Sequence, residues 1–360
     1  MSFPDKPVAQ LLGSNGPVHA VTYSASPGTY ILTGSADRTI RLYNPFPSTS
    51  LPKIRRSSSI HQQNSSDPPA VPQGRLVQSY SAHGYEVLSL AVSSDNERFV
   101  SAGGDRAVFL WDVATATTIR RFGAASSQHG HASRVNCVRW AGDADSLVAS
   151  AGFDTTVRLW DARSGSARPV QVLAEARDAV TCLAVRGPEV IAGSVDGRLR
   201  SYDVRAGRLA TDVLGASVTS VDVARDGRAV LVGSLDSRVR LMDRRTGSCL
   251  RAYADGGFRN EELRVQSLLG DREKYVLAGD EAPEDGEGRI WVWSLLSGKV
   301  VARVRVPWGP GGARKKVVGR DGKEKMRSNV VSCLAWREDG WGDQFCAGGT
   351  SGVVTVFGAL

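Results

Sequence analysis

The fold is decided by residues 135–163, which read VNCVRWAGDADSLVASAGFDTTVRLWDAR. This stretch contains three short runs of alternating apolar side chains, VNCVRW, SLVASAG and TTVRLWD, and each run predicts a β-strand. Asp154 lies in the tight turn before the third strand, and Trp160 follows it by six residues. A unit of three strands cannot bury both of its faces alone. It therefore needs neighbours of the same kind, and the sequence should repeat it.

The same unit recurs seven times along the chain. Its first strand reads Val, any residue, a small residue and an apolar residue, starting at Val18 in the first repeat and Val331 in the last. The turn residue is Asp in five repeats, at Asp37, Asp105, Asp154, Asp196 and Asp236, and changes to Glu287 and Ser351 in the last two. The large side chains six residues later are Tyr43, Trp111, Trp160, Tyr202, Met242, Trp293 and Phe357.

This pattern resembles the WD-repeat family over nearly the whole chain, and two repeats keep the Trp-Asp pair itself, at 111–112 and 160–161. Each repeat of that family forms a four-stranded blade of a β-propeller around a central channel. The resemblance implies an all-β, seven-bladed propeller that occupies residues 1–360 as a single domain. The large residues at 160, 202 and 242 agree with this, because a blade takes about 40–45 residues.

The fourth strand of each blade is expected after the position of the Trp. The segments that fit are 75–81, 118–122, 170–174, 209–215, 249–254 and 300–306. The seventh repeat ends at Leu360 with no such segment after it. We therefore predict that residues 8–14, VAQLLGS, supply the missing strand and close the ring, which leaves no free sheet edge.

The resemblance also implies a polar network inside a blade, in which a His from the entering loop links the turn Asp to a Ser and the Trp. The second repeat offers His83, Ser101, Asp105 and Trp111, and the third offers His131, Ser150, Asp154 and Trp160. A closed network of this kind stiffens a blade. Repeats four and five keep only Asp196 and Asp236, so we expect packing to hold their blades.

Two insertions interrupt the repeats. Residues 46–74 are rich in Ser and Pro, which predicts disorder. Within them, Arg55 and Arg56 precede a run of serines centred on Ser58, which resembles a basophilic kinase site. A tolerated, solvated insertion is the interpretation that we prefer for this segment.

The second insertion, 307–328, lies within the segment 299–328 that carries the basic character of the chain. The net charge is +8, and residues 299–328 contain ten Lys or Arg against two acidic residues, while the remaining residues balance at 35 against 35. We expect this loop to join blades six and seven and to contact RNA or an acidic protein surface. An internal partner, the acidic segment 281–287, is the alternative. The candidate contact residues are Trp308, Arg314, Lys315, Lys316, Arg320, Lys323 and Lys325.

A separate pattern places Arg two residues after the Asp that follows the large third-strand side chain, at Arg163 and Arg205. WD-repeat receptors of cullin-RING ubiquitin ligases carry an Arg at this place, so these residues are candidate ligase-adaptor contacts. A surface Arg with no partner is the alternative that we favour.

The sequence offers no catalytic or metal site. It contains no nucleophile elbow, phosphate loop or metal-ligand cluster, and the pair His129 and His131 has no nearby carboxylate or Cys. Five Cys, with no Cys-x-x-Cys, do not predict a disulfide framework. No apolar run approaches a membrane span and residues 1–10 lack a signal-peptide core. We therefore expect a non-enzymatic protein of the cytoplasm and nucleus, without cofactors.

Segments 175–180, 192–207 and 233–247 resemble the mitogen-activated protein kinase organizer branch of the WD-repeat family. The match extends from repeat one to repeat five, and repeats six and seven depart from it. The resemblance implies a scaffold that assembles signalling kinases or joins the spliceosome as a monomeric subunit of a larger assembly. The basic loop tilts the expectation slightly towards the ribonucleoprotein setting. The alternative is a substrate receptor of a cullin-RING ubiquitin ligase.

Overall fold

The computed structural model describes residues 3–46, 71–123, 129–281, 286–309, 328–337 and 343–358, and the backbone of 316–318 and 324–326. The described residues form seven four-stranded antiparallel sheets and a two-stranded ribbon. A short 3₁₀ turn, Asp143–Asp145, lies between two strands of the third sheet. The predicted all-β, seven-bladed propeller is confirmed.

The strands follow the order of the repeats. Blade 1 contains β2 (Val18–Tyr23), β3 (Ile31–Ser35), β4 (Thr39–Asn44) and β5 (Arg75–Ser81). Blade 2 contains β6 (Val87–Val92), β7 (Arg98–Gly103), β8 (Val108–Asp112) and β9 (Thr118–Phe122). Blade 3 contains β10 (Val135–Ala141), β11 (Leu147–Gly152), β12 (Val157–Asp161) and β13 (Gln171–Leu173). Blade 4 contains β14 (Val180–Arg186), β15 (Glu189–Ser194), β16 (Arg198–Asp203) and β17 (Arg208–Val213), and blade 5 contains β18 (Val218–Val223), β19 (Ala229–Ser234), β20 (Arg238–Asp243) and β21 (Cys249–Tyr253).

The last two blades complete the ring. Blade 6 contains β22 (Ser267–Gly270), β23 (Tyr275–Gly279), β24 (Gly288–Ser294) and β25 (Val300–Val306), and blade 7 contains β28 (Val331–Trp336), β29 (Gln344–Gly349), β30 (Val354–Gly358) and β1 (Lys6–Leu11). Between these blades, β26 (Lys316–Val318) pairs with β27 (Glu324–Met326) to form the ribbon. The fourth strands of blades 1, 2 and 6 have the predicted bounds, and the others differ by one or two residues at either end.

The ring is closed through its innermost strands. The first strand of each blade contacts the first strand of the next, and β28 of blade 7 contacts β2 of blade 1. Seven hydrophobic clusters lie between neighbouring blades rather than inside single ones. Blade 1 and blade 2, for example, share a cluster in which Leu32 and Tyr80 meet Phe99 and Trp111. Each sheet is therefore buried on both faces by its neighbours, as the alternating apolar pattern requires.

The N-terminal strand closes the seventh blade. β1 pairs antiparallel with β30, from Lys6 opposite Gly358 to Leu11 opposite Val354. Ala9 and Leu11 are almost completely buried. The prediction that the N-terminus closes the ring is confirmed, and the strand begins two residues earlier than the segment 8–14 proposed for it.

The topology sorts the connections onto two faces. The turns between second and third strands and the links between successive blades lie at one end of every sheet, and we call this end the Asp-turn face. The turns between first and second and between third and fourth strands lie at the opposite face. The insertion 46–74 joins β4 to β5 and so belongs to the opposite face. Its end is tied to β1, because Gln10 exchanges backbone hydrogen bonds with residues 72 and 74. Residues 47–70 lie outside the described residues.

Removal of the closing strand tests this account. Deletion of residues 3–11 withdraws the buried side chains of Phe3, Val8 and Leu11, each worth about 1.5–3 kcal/mol, and exposes the edge of β30. We expect a large fall in the melting temperature by calorimetry and self-association by light scattering, since an open edge pairs with other chains. Lys6→Ala, at an exposed position of the same strand, should leave both unchanged. An unaltered melting temperature after the deletion would contradict the closing role.

Candidate functional site

Two blades contain the polar network that links a loop His to the Trp. In blade 2, His83 Nδ1 lies 2.8 Å from Asp105 Oδ2 and His83 Nε2 lies 2.7 Å from Ser101 Oγ. Trp111 Nε1 donates to the same Ser101 Oγ at 2.8 Å. In blade 3 the corresponding distances among His131, Asp154, Ser150 and Trp160 are 3.0, 2.7 and 2.8 Å. In each of the two blades, the structure thus connects the four side chains in the order that the resemblance implied.

The charges of the blade 3 network are set by its surroundings. Burial lowers the pKa of His131 below the usual range, against the opposing attraction of Asp154. Burial alone would raise the pKa of Asp154, but hydrogen bonds from His131, the Ala132 N–H and Thr156 outweigh it and lower that pKa to about 2. The network therefore holds an ionised carboxylate against a neutral imidazole near pH 7.

Blades 1, 4 and 5 use a different buried network, built on Arg. In blade 4, Arg200 Nη2 lies 2.6 Å from Asp196 Oδ2 and Arg200 Nη1 donates to Ser194 Oγ at 2.8 Å. The Arg200 side chain is only 3% exposed. We expected blades four and five to depend more on packing because they keep only the turn Asp. The structure adds a polar network there, in which an Arg four residues after that Asp binds its carboxylate. The equivalent sets are Ser35, Asp37 and Arg41 in blade 1 and Ser234, Asp236 and Arg240 in blade 5.

The residue two positions before the turn Asp separates the two networks. It is Gly103 in blade 2 and Gly152 in blade 3, whereas it is Ser in blades 1, 4 and 5. A Cβ atom at Gly152 would lie 3.1 Å from His131 Nδ1 and 2.9 Å from the Arg134 carbonyl oxygen. A side chain at Gly152 would therefore crowd the His131 ring, whereas a Cβ atom at Gly103 would meet the backbone of Glu86. In blades 1, 4 and 5 the serine hydroxyl at this position accepts a hydrogen bond from Arg. The sequence signal was present as Ser-x-Asp-x-x-x-Arg at 35–41, 194–200 and 234–240.

Blade 6 departs from both patterns. Glu287, which the repeat pattern placed at the turn, lies at the end of a lengthened connection between β23 and β24. Asp280 of this blade is completely buried, and its carboxylate accepts a hydrogen bond from Trp291 Nε1 at 2.9 Å. Strand register aligns Asp280 with Ser234 of blade 5 and Trp291 with Arg240. The spacing of six residues from Glu287 to Trp293 identified the large side chain of this blade, but it did not indicate Asp280.

Loops of the Asp-turn face are tied to one another around blade 6. The Glu281 carboxylate accepts hydrogen bonds from the backbone N–H groups of residues 261, 262 and 263 at 2.8 to 3.2 Å. Trp308 is half-buried and its indole N–H donates to the Gly286 carbonyl at 3.0 Å. Glu281 therefore holds the loop before blade 6, and Trp308 anchors the start of the basic loop to the turn of that blade.

Most of the predicted basic contacts lie beyond this anchor. Lys316 and Lys325 belong to the ribbon formed by β26 and β27. In the strand register, Lys316 lies opposite Met326 and Lys325 lies opposite Val317. Arg314, Lys315, Arg320 and Lys323 lie outside the described residues, as do Ser58 of the other insertion and Glu284 and Asp285 of the acidic segment.

The candidate ligase-adaptor residues lie on the opposite face, in adjacent blades 3 and 4. Arg163 is exposed, and its backbone N–H donates to the Asp161 carboxylate in a turn. Arg205 is also exposed and forms an ion pair with Asp143 at 3.1 Å. Because both members of this pair are largely solvated, it adds little to stability and leaves the guanidinium accessible.

Within the described residues, no group of three or more His, Cys, Asp or Glu is arranged to hold a metal ion. The five cysteines are free, and only Cys249 is exposed. Cys137, Cys182 and Cys333 occupy the small position of the first strand and are buried. Burial raises the pKa of Cys182 to about 11 and that of Cys333 to about 12, so these two thiols are protonated near pH 7.

Comparisons with known proteins agree with this architecture. A family profile described as "WD domain, G-beta repeat" matches residues 5–44, 74–112, 124–161 and 211–243. WD repeat domain-containing protein 83 of Rattus norvegicus is 36% identical over 303 residues, covering 84% of this chain and 83% of the rat protein. The chain belongs to the WD-repeat family. The protein of the same name from Homo sapiens is 35% identical over 338 residues, 94% of each chain. The Dictyostelium discoideum homolog is 27% identical over 322 residues, covering 82% of this chain and 86% of that homolog.

WD-repeat propellers generally mediate contacts between proteins. Among the described residues, no helix has the length and apolar character needed to cross a membrane.

The Arg network of this WD-repeat propeller can be tested by its removal. Arg200→Ala leaves the Asp196 carboxylate largely buried without its cation, and we expect a loss of about 3 kcal/mol in the free energy of unfolding. Urea denaturation at pH 7 measures it. Arg205→Ala, at an exposed ion pair, should change the same quantity by less than about 0.5 kcal/mol. Equal effects of the two substitutions would show that the network is not a stabilising element.

The His network gives the WD-repeat propeller a dependence on pH. The unfolded chain binds a proton at His131 near pH 6.5, whereas the folded chain, with its lowered pKa, resists it. Stability should therefore decrease as the pH falls below about 6.5. A second decrease should follow as the pH falls through the folded pKa of Asp154, about 2. NMR titration of the His131 ring should give a pKa below 6.5, and a value at or above it would contradict this electrostatic account.

Proposed function

We propose that the protein is a non-catalytic interaction scaffold of the kinase-organizer type, which assembles signalling kinases or joins the spliceosome in pre-mRNA splicing. The observation that carries the proposal is the use of its buried charged groups. His83, His131, Arg200 and their carboxylate partners are hydrogen-bonded within single blades, where they hold strands together. The polar and charged side chains outside these networks lie on loops and on the surface, where a binding platform requires them.

The two insertions give the scaffold two separate sides. The connection that contains residues 46–74 joins strands at the opposite face, and the connection that contains the basic loop joins blades at the Asp-turn face. A rigid ring with an insertion at each face can hold two partners at once. Holding successive enzymes of a cascade on one body raises their effective concentration towards each other, without any new contact between them.

The basic loop favours the splicing setting. Its positive charge is concentrated between residues 307 and 328, and Trp308 fixes the base of the loop to blade 6. Such a segment binds RNA phosphates or an acidic protein surface through charge. This function places the protein in the cytoplasm and the nucleus, as a monomeric subunit of a larger assembly.

An affinity purification from native cells tests the proposal. The intact protein is compared with a variant in which residues 310–327 are replaced by a short Gly-Ser linker that keeps Trp308, each with and without ribonuclease. A matched variant lacks residues 47–70 of the other insertion. We expect splicing factors with the intact protein and with the matched variant, and their loss when the basic loop is removed.

The two settings differ in the result. Kinases recovered with all three forms, without splicing factors, would favour the signalling scaffold and leave the loop without a role. A purification in which no protein accompanies the intact chain above the level of an unrelated propeller would contradict the scaffold function itself.

A ligase receptor is the second candidate, and it is favoured by the exposure of Arg163 and Arg205 on one face of adjacent blades. A charge reversal, Arg163→Glu with Arg205→Glu, should abolish binding of a cullin-RING adaptor while the melting temperature stays unchanged. Arg208→Glu, at another exposed position of blade 4, is the control. Adaptor binding that survives the double reversal would eliminate this candidate.

A further inference from the structure

The outer edge of blade 4 differs from the outer edges of the other blades. In blades 1, 2, 5, 6 and 7 the outermost strand carries one extra residue against its inner neighbour, which interrupts the strand register. The extra residues are Val77, Ile119, Leu250, Val301 and Val8. The outermost strand of blade 3, β13, is only three residues long. In blade 4, by contrast, β17 pairs with β16 without interruption over six residues.

A regular edge strand is open to pairing with another chain. Bulges and short strands are devices that prevent such pairing, because they disturb the row of free backbone N–H and C=O groups that an edge presents. β17 has neither device, and five of its six residues are exposed. Among the described residues, β16 is the only hydrogen-bonding partner of its backbone. The outer row of backbone groups in β17 is therefore available.

Asp212 in this strand is an exception among the blades. It lies opposite Leu199 of β16, and the equivalent position of every other blade carries a buried apolar side chain. Those side chains are Leu11, Tyr80, Phe122, Leu173, Tyr253 and Val304. Burial raises the pKa of the Asp212 carboxyl, and no neighbouring cation opposes the shift. Within the described residues, neither Asp212 nor Arg208 of the same strand forms an ion pair.

Two copies of β17 are complementary to each other when they run antiparallel. A register centred on Ala210 places Arg208 of one copy opposite Asp212 of the second copy, and the two-fold axis repeats this pair on its other side. Leu209 and Val213, which are 45% and 70% exposed, share the other face of the strand. In the same register Leu209 of one copy is a diagonal neighbour of Val213 of the second copy, within reach for apolar contact.

We propose that β17 is a pairing edge at which two copies of the chain join, by antiparallel addition of one β17 to the other with Ala210 on the two-fold axis. The two four-stranded sheets of blade 4 become one continuous sheet. Each Asp212 gains the cation that it lacks, and opposite charges across a strand pair stabilise the pairing. The inference goes beyond the scaffold function and does not rest on it.

The pairing is weak, because a single strand from each copy makes the contact. Such an interface buries less than the roughly 1,200 Å² at which stable complexes begin. The chain is therefore a monomer when it is dilute, and it pairs where an assembly raises its local concentration. A pair of propellers joined at their edges leaves both faces of each ring free, so pairing doubles the number of surfaces that are held together.

Sedimentation equilibrium of the full chain at about 1 to 200 µM tests the pairing, and we expect a monomer–dimer equilibrium in that range. Arg208→Glu and Asp212→Arg each place like charges opposite one another, and each should weaken self-association at least about tenfold. An equal mixture of the two variants should associate as the unchanged chain does, because every opposing pair is again of unlike charge. Arg75→Glu, at an exposed position of the interrupted strand β5, should change nothing.

Cross-linking tests the register without altering a charge. In a chain with Cys249→Ser, which removes the exposed thiol, Ala210→Cys should give a covalent dimer when diamide oxidises the two thiols. Opposite Cα atoms in an antiparallel pair lie about 4.5–5.5 Å apart, which suits a disulfide. Ala252→Cys, at an exposed position of β21, is the matched control and should remain monomeric. Circular dichroism checks the fold of Asp212→Arg, and the cross-linking result does not depend on that variant.

Several results would overturn the proposal. They are a chain that remains monomeric at every concentration, self-association that neither charge reversal weakens, and equal cross-linking of Ala210→Cys and Ala252→Cys. Protection of the β17 amides from hydrogen exchange by another protein, with the chain alone monomeric, would assign the edge to a foreign strand and would also overturn it. The affinity purification reports on the scaffold function separately, so either idea can fail while the other holds.

Discussion

Burial of both faces of every blade is the constraint on which this structure depends. A four-stranded sheet with apolar residues on both faces has no stable existence in water, and here each face is covered by the next blade. The seven hydrophobic clusters lie between blades, so no blade has a hydrophobic core of its own. The ring must close for any blade to be stable, and it closes where β1 from the beginning of the chain pairs with β30 from its end. The two ends of the sequence thereby support the same sheet.

The same constraint explains why the architecture could be predicted from sequence. Strands that are buried on both sides need a regular succession of Val, Leu and Ile, and the close packing near the axis needs a small residue after the first Val. These requirements recur with each blade, so the repeat is visible even where the large side chain changes from Trp160 to Met242. Blade 6 shows the limit of such counting. Its lengthened turn kept Trp293 at the expected spacing from Glu287, while Asp280, whose carboxylate binds Trp291, lies at the other end of the same connection.

The polar interior was predicted in part. The networks of His83 and His131 followed from the family resemblance, because every member was in its expected place. The networks of Arg41, Arg200 and Arg240 were missed, because a carboxylate without a His was interpreted as a carboxylate without a buried partner. The channel could not be predicted at all. Arg264 meets Asn136 across the ring, and the distance between two residues so far apart in sequence depends on how seven blades close together. Sequence periodicity fixes the blades but not the contents of the space that they enclose.

The residue before the turn, glycine or serine, divides the blades into two kinds that cannot easily be exchanged. A serine at Gly152 would bring its Cβ atom to 3.1 Å from the His131 ring, and a glycine at Ser194 would leave the buried Arg200 without its hydroxyl acceptor. Blade 3 already carries an Arg at the third-strand position, since Arg158 lies 3.6 Å from Asp154, whereas blade 2 has Phe109 there. Blade 3 therefore differs from the Arg blades in the loop side chain and in the second-strand residue. Anyone who redesigns a blade of this ring would have to exchange those two residues as a pair.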